Sequence, residues 1–168
     1  YDEVIAGYTE SLGASHTRTL TAKNNLANLL DDLGEREEAR RLYDEVIAGY
    51  TESLGASHTR TLTAKNNLAN LLDDLGEREE ARRLYDEVIA GYTESLGASH
   101  TSTLNAKMGL AISFVAGGNP EQAKRVLSTG PGARQLFTEL IQRYTLQLGD
   151  DHEVVVDARH AFALAFTD

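Results

Sequence analysis

The sequence repeats itself with a period of 42 residues, and no other feature constrains the fold as strongly. Residues 1–42 recur at 43–84 without one substitution, and the identity runs on to Thr101. The first departure is Ser102, where the earlier copies carry Arg18 and Arg60. A period of about 20 to 50 residues marks a stack of supersecondary units, none of which can bury its apolar face alone. The 168 residues, four times 42, are therefore expected to form one elongated domain. Its repeats would span 1–42, 43–84 and 85–126, with an insert at 123–132 and a divergent unit at 133–168. Exterior positions usually drift first, so their identity points to recent duplication, homogenisation or engineering. Identical copies cannot encode a unique hot spot. Any ligand contact within them must be periodic, and anything singular must follow Thr101.

Each period holds two helical patterns. Leu62, Leu68, Leu71, Leu72 and Leu75, with the small Ala64 and Ala69, predict helix A over about residues 59–75. Ala81, Leu84, Tyr85, Val88, Ile89, Tyr92 and Leu96 predict helix B over about 77–95. Gly76 and Gly97 suit left-handed positions at the helix ends. Ser57 or Thr59 can cap helix A, and Glu77, Glu79 and Glu80 complement the dipole at the start of helix B. Mid-helix glycine costs about 1 kcal/mol against alanine, so Gly49 and Gly91 imply close approach of a neighbouring helix. Two antiparallel helices cannot cover both stripes, and successive pairs must stack into an all-α solenoid with a continuous core.

Composition narrows the partner class. Sixteen Lys and Arg against 26 Asp and Glu leave a net charge of -10. This disfavours a nucleic-acid backbone or an anionic membrane and favours a neutral to basic protein or peptide. The absence of cysteine removes disulfides, thiolate metal sites and thiol nucleophiles. No run approaches the roughly 18 apolar residues of a membrane-spanning helix, no signal-peptide pattern opens the chain, and a cytoplasmic location is expected. The start at Tyr1 suggests a piece of a longer protein.

The string NNLANLLDDLGEREEARRLYDEVI, 66–89, resembles the tetratricopeptide repeat, and the 42-residue period resembles its kinesin-light-chain type. Leu68, Gly76, Ala81 and Tyr85 carry the match, and LGASHT at 54–59 is similar to the LGPDHP turn of the longer repeats. Two departures are the missing proline at the end of helix B, where Thr93 stands, and Ala69 in place of a glycine. The resemblance implies a right-handed superhelix whose concave face, lined by helix A, binds a peptide or partner protein. The implied groove residues are Thr21, Asn24, Asn28, Asp31 and Asp32 with their copies Thr63, Asn66, Asn70, Asp73 and Asp74. An amide offers both donor and acceptor, so such a row can pair with an extended backbone without reading its side chains. The same row also fits a solvated polar face. Asn25 and Asn67 match the asparagines of the family's carboxylate clamp, but Thr21, Thr63 and Asn105 stand where its lysine is expected, which argues against capture of an acidic tail.

Beyond Thr101 the groove positions turn apolar: Met108, Ile112, Val115 and Ala116. They make either a hydrophobic pocket at one end of the groove or a face covered by the segment that follows. Cover is preferred, because a bare apolar patch is a liability. Alignment of 133–149 with 39–55 shows that 123–132 is an insert of ten residues. Asn119 and Pro120 should start a short helix ending near Leu127, and Gly130, Pro131 and Gly132 should break it. Arg143, in place of Gly49, predicts that its neighbouring helix is absent or farther away. A last helix, 153–166, should present Val156, Phe162 and Phe166 as its apolar face.

No catalytic constellation emerges. His16, His58, His100 and His152 recur at the turn before helix A, but helix axes about 8–10 Å apart cannot gather them around one zinc with bonds of about 2 Å; a turn-packing role fits better. His160 lacks a nearby ligand at metal spacing. Glu37, Arg41 and Glu45 form a solvated charge ladder. With no nucleophile elbow or phosphate loop, no enzymatic activity and no cofactor are expected. Two functions remain: a protein-interaction module working through the helix A groove, and a structural solenoid that spaces domains or self-associates. For the second, exposed Val4, Ile5 and Tyr8 at one end and Phe162 and Phe166 at the other are the candidate contacts, giving a homo-oligomer.

Overall fold

The computed structural model describes residues 1–128 and 132–166, and among these the chain is entirely helical and turn. The helices are α1 (Asp2–Leu12), α2 (Thr17–Asp32), α3 (Arg36–Leu54), α4 (Thr59–Asp74), α5 (Arg78–Leu96), α6 (Thr101–Ala116), α7 (Pro120–Ser128), α8 (Ala133–Leu148) and α9 (Glu153–Phe166). Helices α2, α4, α6 and α9 are A-type; α1, α3 and α5 are B-type. The expected Gly130–Pro131 break lies outside the described residues. The chain divides into two compact units, residues 1–80 and 81–168.

Within the first unit, α2 and α3 form an antiparallel pair, and α4 packs on α3. Leu20 of α2 joins Val46 and Tyr50 of α3 and Ala64 of α4 in a buried cluster, sealed by Ile47 and Leu54. The close approach expected at Gly49 is present. A Cβ built there would lie 2.7 Å from Leu20 Cδ2, so glycine sets the distance between the helices. The paired helices are locked at both ends by tyrosine hydroxyls: Tyr43 donates to Asn28 Oδ1 at 2.7 Å, and Tyr50 pairs with Thr21 Oγ1 at 2.9 Å. On the outside, Lys23 meets Glu45 at 2.7 Å and Arg40 meets Glu77 at 2.7 Å.

The turn before α2, α4 and α6 is built the same way each time. In the first copy Gly13 takes φ 96°, and the hydroxyl of fully buried Thr19 donates to its carbonyl at 2.8 Å. The copies at Thr61 and Thr103 make the same bond to Gly55 and Gly97. Gly34 and Gly76, ending A-type helices, also have positive φ. At the ends of α1 and α3, however, Gly13 and Gly55 combine positive φ with ψ 158°, an extended glycine-only conformation rather than the left-handed helical one. Neither Ser57 nor Thr59 caps helix A. His58 does, because its backbone is extended (φ -67°, ψ 141°) and its Nδ1 accepts from the Arg60 amide at 3.1 Å. His16, His100 and His152 accept likewise from Arg18, Ser102 and Val154. The periodic histidines are therefore capping residues, satisfying a donor that the first helical turn leaves open.

In the second unit, the first part of the insert, 123–128, completes α7, which packs against both α6 and α9. Met108 and Ala111 of α6, Ala123 and Leu127 of α7, Phe137 and Leu140 of α8 and Ala158 and Ala161 of α9 share one cluster. With α7 in the place a B-type helix would take, α8 lies farther out along α6. Arg143 spans that distance, its Nη1 reaching Thr101 Oγ1 at 3.4 Å. The inner face of α9 differs from expectation. Val155, Ala158, Ala161 and Ala165 are buried while Val156 is 50% exposed, since α9 turns its small-residue stripe toward the cluster.

The glycines at equivalent places in α1 and α3 give a matched test. Gly49→Val should destabilise by about 1–3 kcal/mol through overpacking against Leu20. A Cβ at Gly7 meets no atom within 4 Å, so Gly7→Ala should gain up to about 1 kcal/mol from helix propensity. Urea melts of dilute protein read both.

Candidate functional site

The A-type helices place the predicted polar row in the first unit, but its members do different work. Helices α1 and α2, with Tyr50 of α3 and Arg60 and Thr63 of α4, enclose an open cleft of about 570 Å³. Its walls include Tyr1, Val4, Tyr8, Arg18, Thr21, Ala22, Asn24 and Asn25, and no carboxylate. Thr21 Oγ1 sits in the middle, touched by the Tyr50 hydroxyl and by Arg60 Nη1 at 3.3 Å. Asn24 Oδ1 is buried and has no hydrogen-bond partner, and Asn66 Oδ1, its copy, is in the same state. Each is an acceptor whose desolvation is uncompensated.

Asn28 is not available in the same way. Its Oδ1 accepts from Tyr43 and from Asn67 Nδ2 at 3.1 Å, so the amide holds α2 to its neighbours. Burial pushes the Tyr43 hydroxyl well above its usual range, with Asp31 and Asp32 adding to the effect; the group is a firm donor. Asn70 is exposed. The clamp position is likewise occupied from within: tyrosine hydroxyls meet Thr21, and meet Asn105 at 3.1 Å from Tyr144.

Beside the amides lies a carboxylate cluster. Asp31 approaches Arg36 Nε at 3.9 Å, Arg36 Nη2 approaches Asp74 at 4.0 Å, and Asp73 approaches Arg78 at 3.8 Å. Burial raises the Asp31 carboxyl above its ordinary value, Asp74 raises it further, Arg36 pulls it down and Asp32 pushes it up again. Net, the folded chain holds a proton on Asp31 to higher pH than an ordinary aspartate would.

In the second unit the apolar positions are largely covered, the reading preferred over an open groove, and Met108 and Ile112 do not form an open row. Met108 is 1% exposed inside the helical cluster and is a core residue, because α7, α8 and α9 close over it. Ile112 remains at the surface, where with Val115, Ala116, Asp157 and His160 it lines a cleft of about 270 Å³. A further cleft of about 580 Å³ lies between α8 and α9, walled by Ile141, Leu146, Arg159 and Phe162. Among the end residues, Val4 is 48% exposed and Ile5 and Tyr8 are half-buried. Phe162 and Phe166 pack on each other at 4.7 Å and against the cluster, so they are only half available. No group of three or more His, Cys, Asp or Glu able to hold a metal occurs among the described residues, and none of their helices is long and apolar enough to cross a membrane.

Helical periodicity does not single out Arg18, Arg60 and Tyr50 as cleft residues. A signal exists all the same, since the first divergence after two identical copies replaces this arginine by Ser102.

Since the folded chain disfavours the Asp31 carboxylate, Asp31 contributes stability below the unfolded carboxyl range, about pH 4, and loses it as pH rises through the higher folded value. Asp31→Asn should therefore raise the melting temperature near neutral pH, and the gain should vanish as pH falls below about 4. Thermal melts across that range measure it.

The family model of the tetratricopeptide repeat matches residues 18–94 and 60–129. Solved structures agree on the fold. The nearly identical TPR-like repeats of Podosopora anserina, described as those of a kinesin light chain, superpose with TM-score 0.70 at 24% identity, over 99% of this chain and 86% of that one. A single-site variant of those repeats gives 0.69 at 24% identity, over 98% and 73%. BtubC (BKLC) from P. vanneervenii gives 0.62 at 21% identity, over 87% and 64%. No curated protein matches the sequence.

Proposed function

Because the chain belongs to the tetratricopeptide repeat family, whose repeats mediate protein–protein interaction or scaffolding, we propose that it is a non-catalytic module holding an extended segment of a partner protein against its A-type helices. The observation that carries this reading is the buried, partnerless Asn24 Oδ1 in a cleft walled by hydroxyl, amide and guanidinium groups. A turn of the Asn24 amide into the cleft would bring that oxygen, closed off where it sits, to a peptide N–H, while Arg18 and Arg60 offer donors to peptide carbonyls. Recognition of this kind reads the backbone, as extended-peptide binding does elsewhere. The carboxylates of Asp31, Asp32, Asp73 and Asp74 lie along the same helices, and the Asp31 carboxyl, raised first by its burial, is raised further by Asp74 and Asp32. A lysine or arginine of the partner placed there would relieve the repulsion, which supports a neutral to basic segment.

The test is a peptide selected from a displayed random library on the immobilised chain. Asn24→Ala combined with Asn66→Ala should weaken its binding by several-fold to tenfold per lost bond, about 0.5–1.5 kcal/mol each, without lowering the melting temperature. Asn28→Ala should instead cost about 1 kcal/mol of stability, because it leaves the Tyr43 hydroxyl unpaired. Binding that survives the double change would refute the cleft as the site.

A further inference from the structure

The seam between successive A-type helices is bridged in the first unit and open in the second. Between α2 and α4, Asn67 Nδ2 donates to Asn28 Oδ1 at 3.1 Å and ties the two helices together. Counting from the capping histidines, Ile112 of α6 stands where Asn28 does, and Ala161 of α9 stands where Asn67 does. Neither side chain can make the bridge. At this place α6 and α9 leave the cleft of about 270 Å³ lined by Ile112, Val115, Ala116, Asp157 and His160, with both walls inside the second unit.

The polarity of the seam is exchanged as well. In the first unit the earlier helix brings Asp31 and Asp32 to these positions and the later one brings Thr63 and Asn66. Here the earlier helix brings Ile112, Val115 and Ala116, and the later one Asp157 and His160. Asp31 and Asp73 each have an arginine close by, Arg36 at 3.9 Å and Arg78 at 3.8 Å. The residue equivalent to those arginines at the start of α7 is the uncharged Pro120. Among the described residues Asp157 makes no ion pair. Burial raises its carboxyl first, Glu153 one turn earlier raises it further, and His160 lowers it. The cleft therefore joins an apolar floor to a half-buried carboxylate that no lysine or arginine of the unit meets.

Its volume falls just below the roughly 300 Å³ at which small-molecule pockets begin and suits a single side chain. An apolar occupant would take water from the carboxylate and give nothing back. An acidic one would add a further negative charge beside Asp157 and Glu153. A basic side chain matches both parts, because its methylene stem covers apolar surface while its head stays with the charge. Building on the reading of this chain as a holder of partner segments, we propose that the cleft between α6 and α9 takes one lysine or arginine side chain of the partner, with the stem on Ile112 and Val115 and the head on the Asp157 carboxylate. Identical copies offer the same contact at every step, so one side chain is singled out only where the copies diverge; Ile112, Val115 and Ala116 are all products of that divergence.

The experiment follows the amide chemical shifts of the isotopically labelled 168-residue chain as capped pentapeptides are added to millimolar concentration. The peptides share an alanine host and carry lysine, arginine, norleucine or glutamate at the centre. A lysine or arginine peptide should shift the amides of Ile112, Val115, Asp157 and His160 and bind roughly two- to fivefold more tightly than the norleucine peptide, the factor of a partly exposed ion pair. The glutamate peptide should bind more weakly than any of them. Asp157→Asn should abolish the preference for the cation without weakening the norleucine peptide, which a diffuse attraction to the acidic chain would not do. Ala116→Leu, at an exposed position, should fill the cleft and weaken the basic and norleucine peptides alike. The proposal is overturned if neither basic peptide shifts these amides, if norleucine binds as tightly as both cations, or if the preference survives Asp157→Asn. Circular dichroism of each variant separates a lost cleft from a lost fold. Asn24→Ala with Asn66→Ala should leave the preference at this cleft untouched, so failure of the amide site and failure of this one are read separately.

Discussion

Everything in the first unit depends on how closely an A-type helix can approach the B-type helix that follows it. Leu20 presses into the notch left by Gly49, and this single distance fixes where the two tyrosine hydroxyls fall. Were the helices farther apart, Tyr43 could not reach Asn28 nor Tyr50 reach Thr21. Val46 and Ala64 would then lose the contact that excludes water from between the pairs. The close approach works through packing rather than through charge. The surface ion pairs, Lys23 with Glu45 and Arg40 with Glu77, are partly exposed and contribute little each, but they fix register along the outside.

The second unit shows what happens when that constraint is lifted. Residues 120–128 form a short helix where a long one would run, Arg143 stands where α3 has its glycine, and α6, apolar on that side, is roofed by three helices at once. Arg143 replaces the glycine because α8 no longer has to come close; its long side chain bridges a gap instead of leaving one. Met108 is buried for the same reason.

The helices are legible in the sequence because their signals are local: leucine spacing, terminal glycines, the Asn119–Pro120 start and the extra ten residues all act within one or two turns. The role of Gly49 is also readable, since a glycine in mid-helix costs stability unless a neighbouring helix needs the space. What is not readable depends on partners far along the chain. Asn28 and Asn24 are the same residue type four positions apart on one helix, yet one is spent on Tyr43 and the other is left with a bare oxygen. Val155 and Val156 are adjacent valines, and only the packing of α9 decides which is buried. The capping histidines are hidden in the sequence because serine and threonine beside them are the commoner caps. Only the extended backbone at His58, set by the turn that Thr61 ties to Gly55, aims the imidazole at the helix.

The repetition of that turn has a consequence for the gene as much as for the fold. Each copy closes on the same Gly–His–Thr geometry and opens on the same glycine notch, so the junction between Leu42 and Tyr43 is chemically the same as the junction between Leu84 and Tyr85. A recombination event that adds or removes 42 residues there leaves every local hydrogen bond and every seat with a partner of the right shape. The number of units can change in whole steps without a new contact having to evolve. The interchangeable stretch then stops at the divergent helices after Thr101, which no longer match the pattern and cannot be exchanged with it.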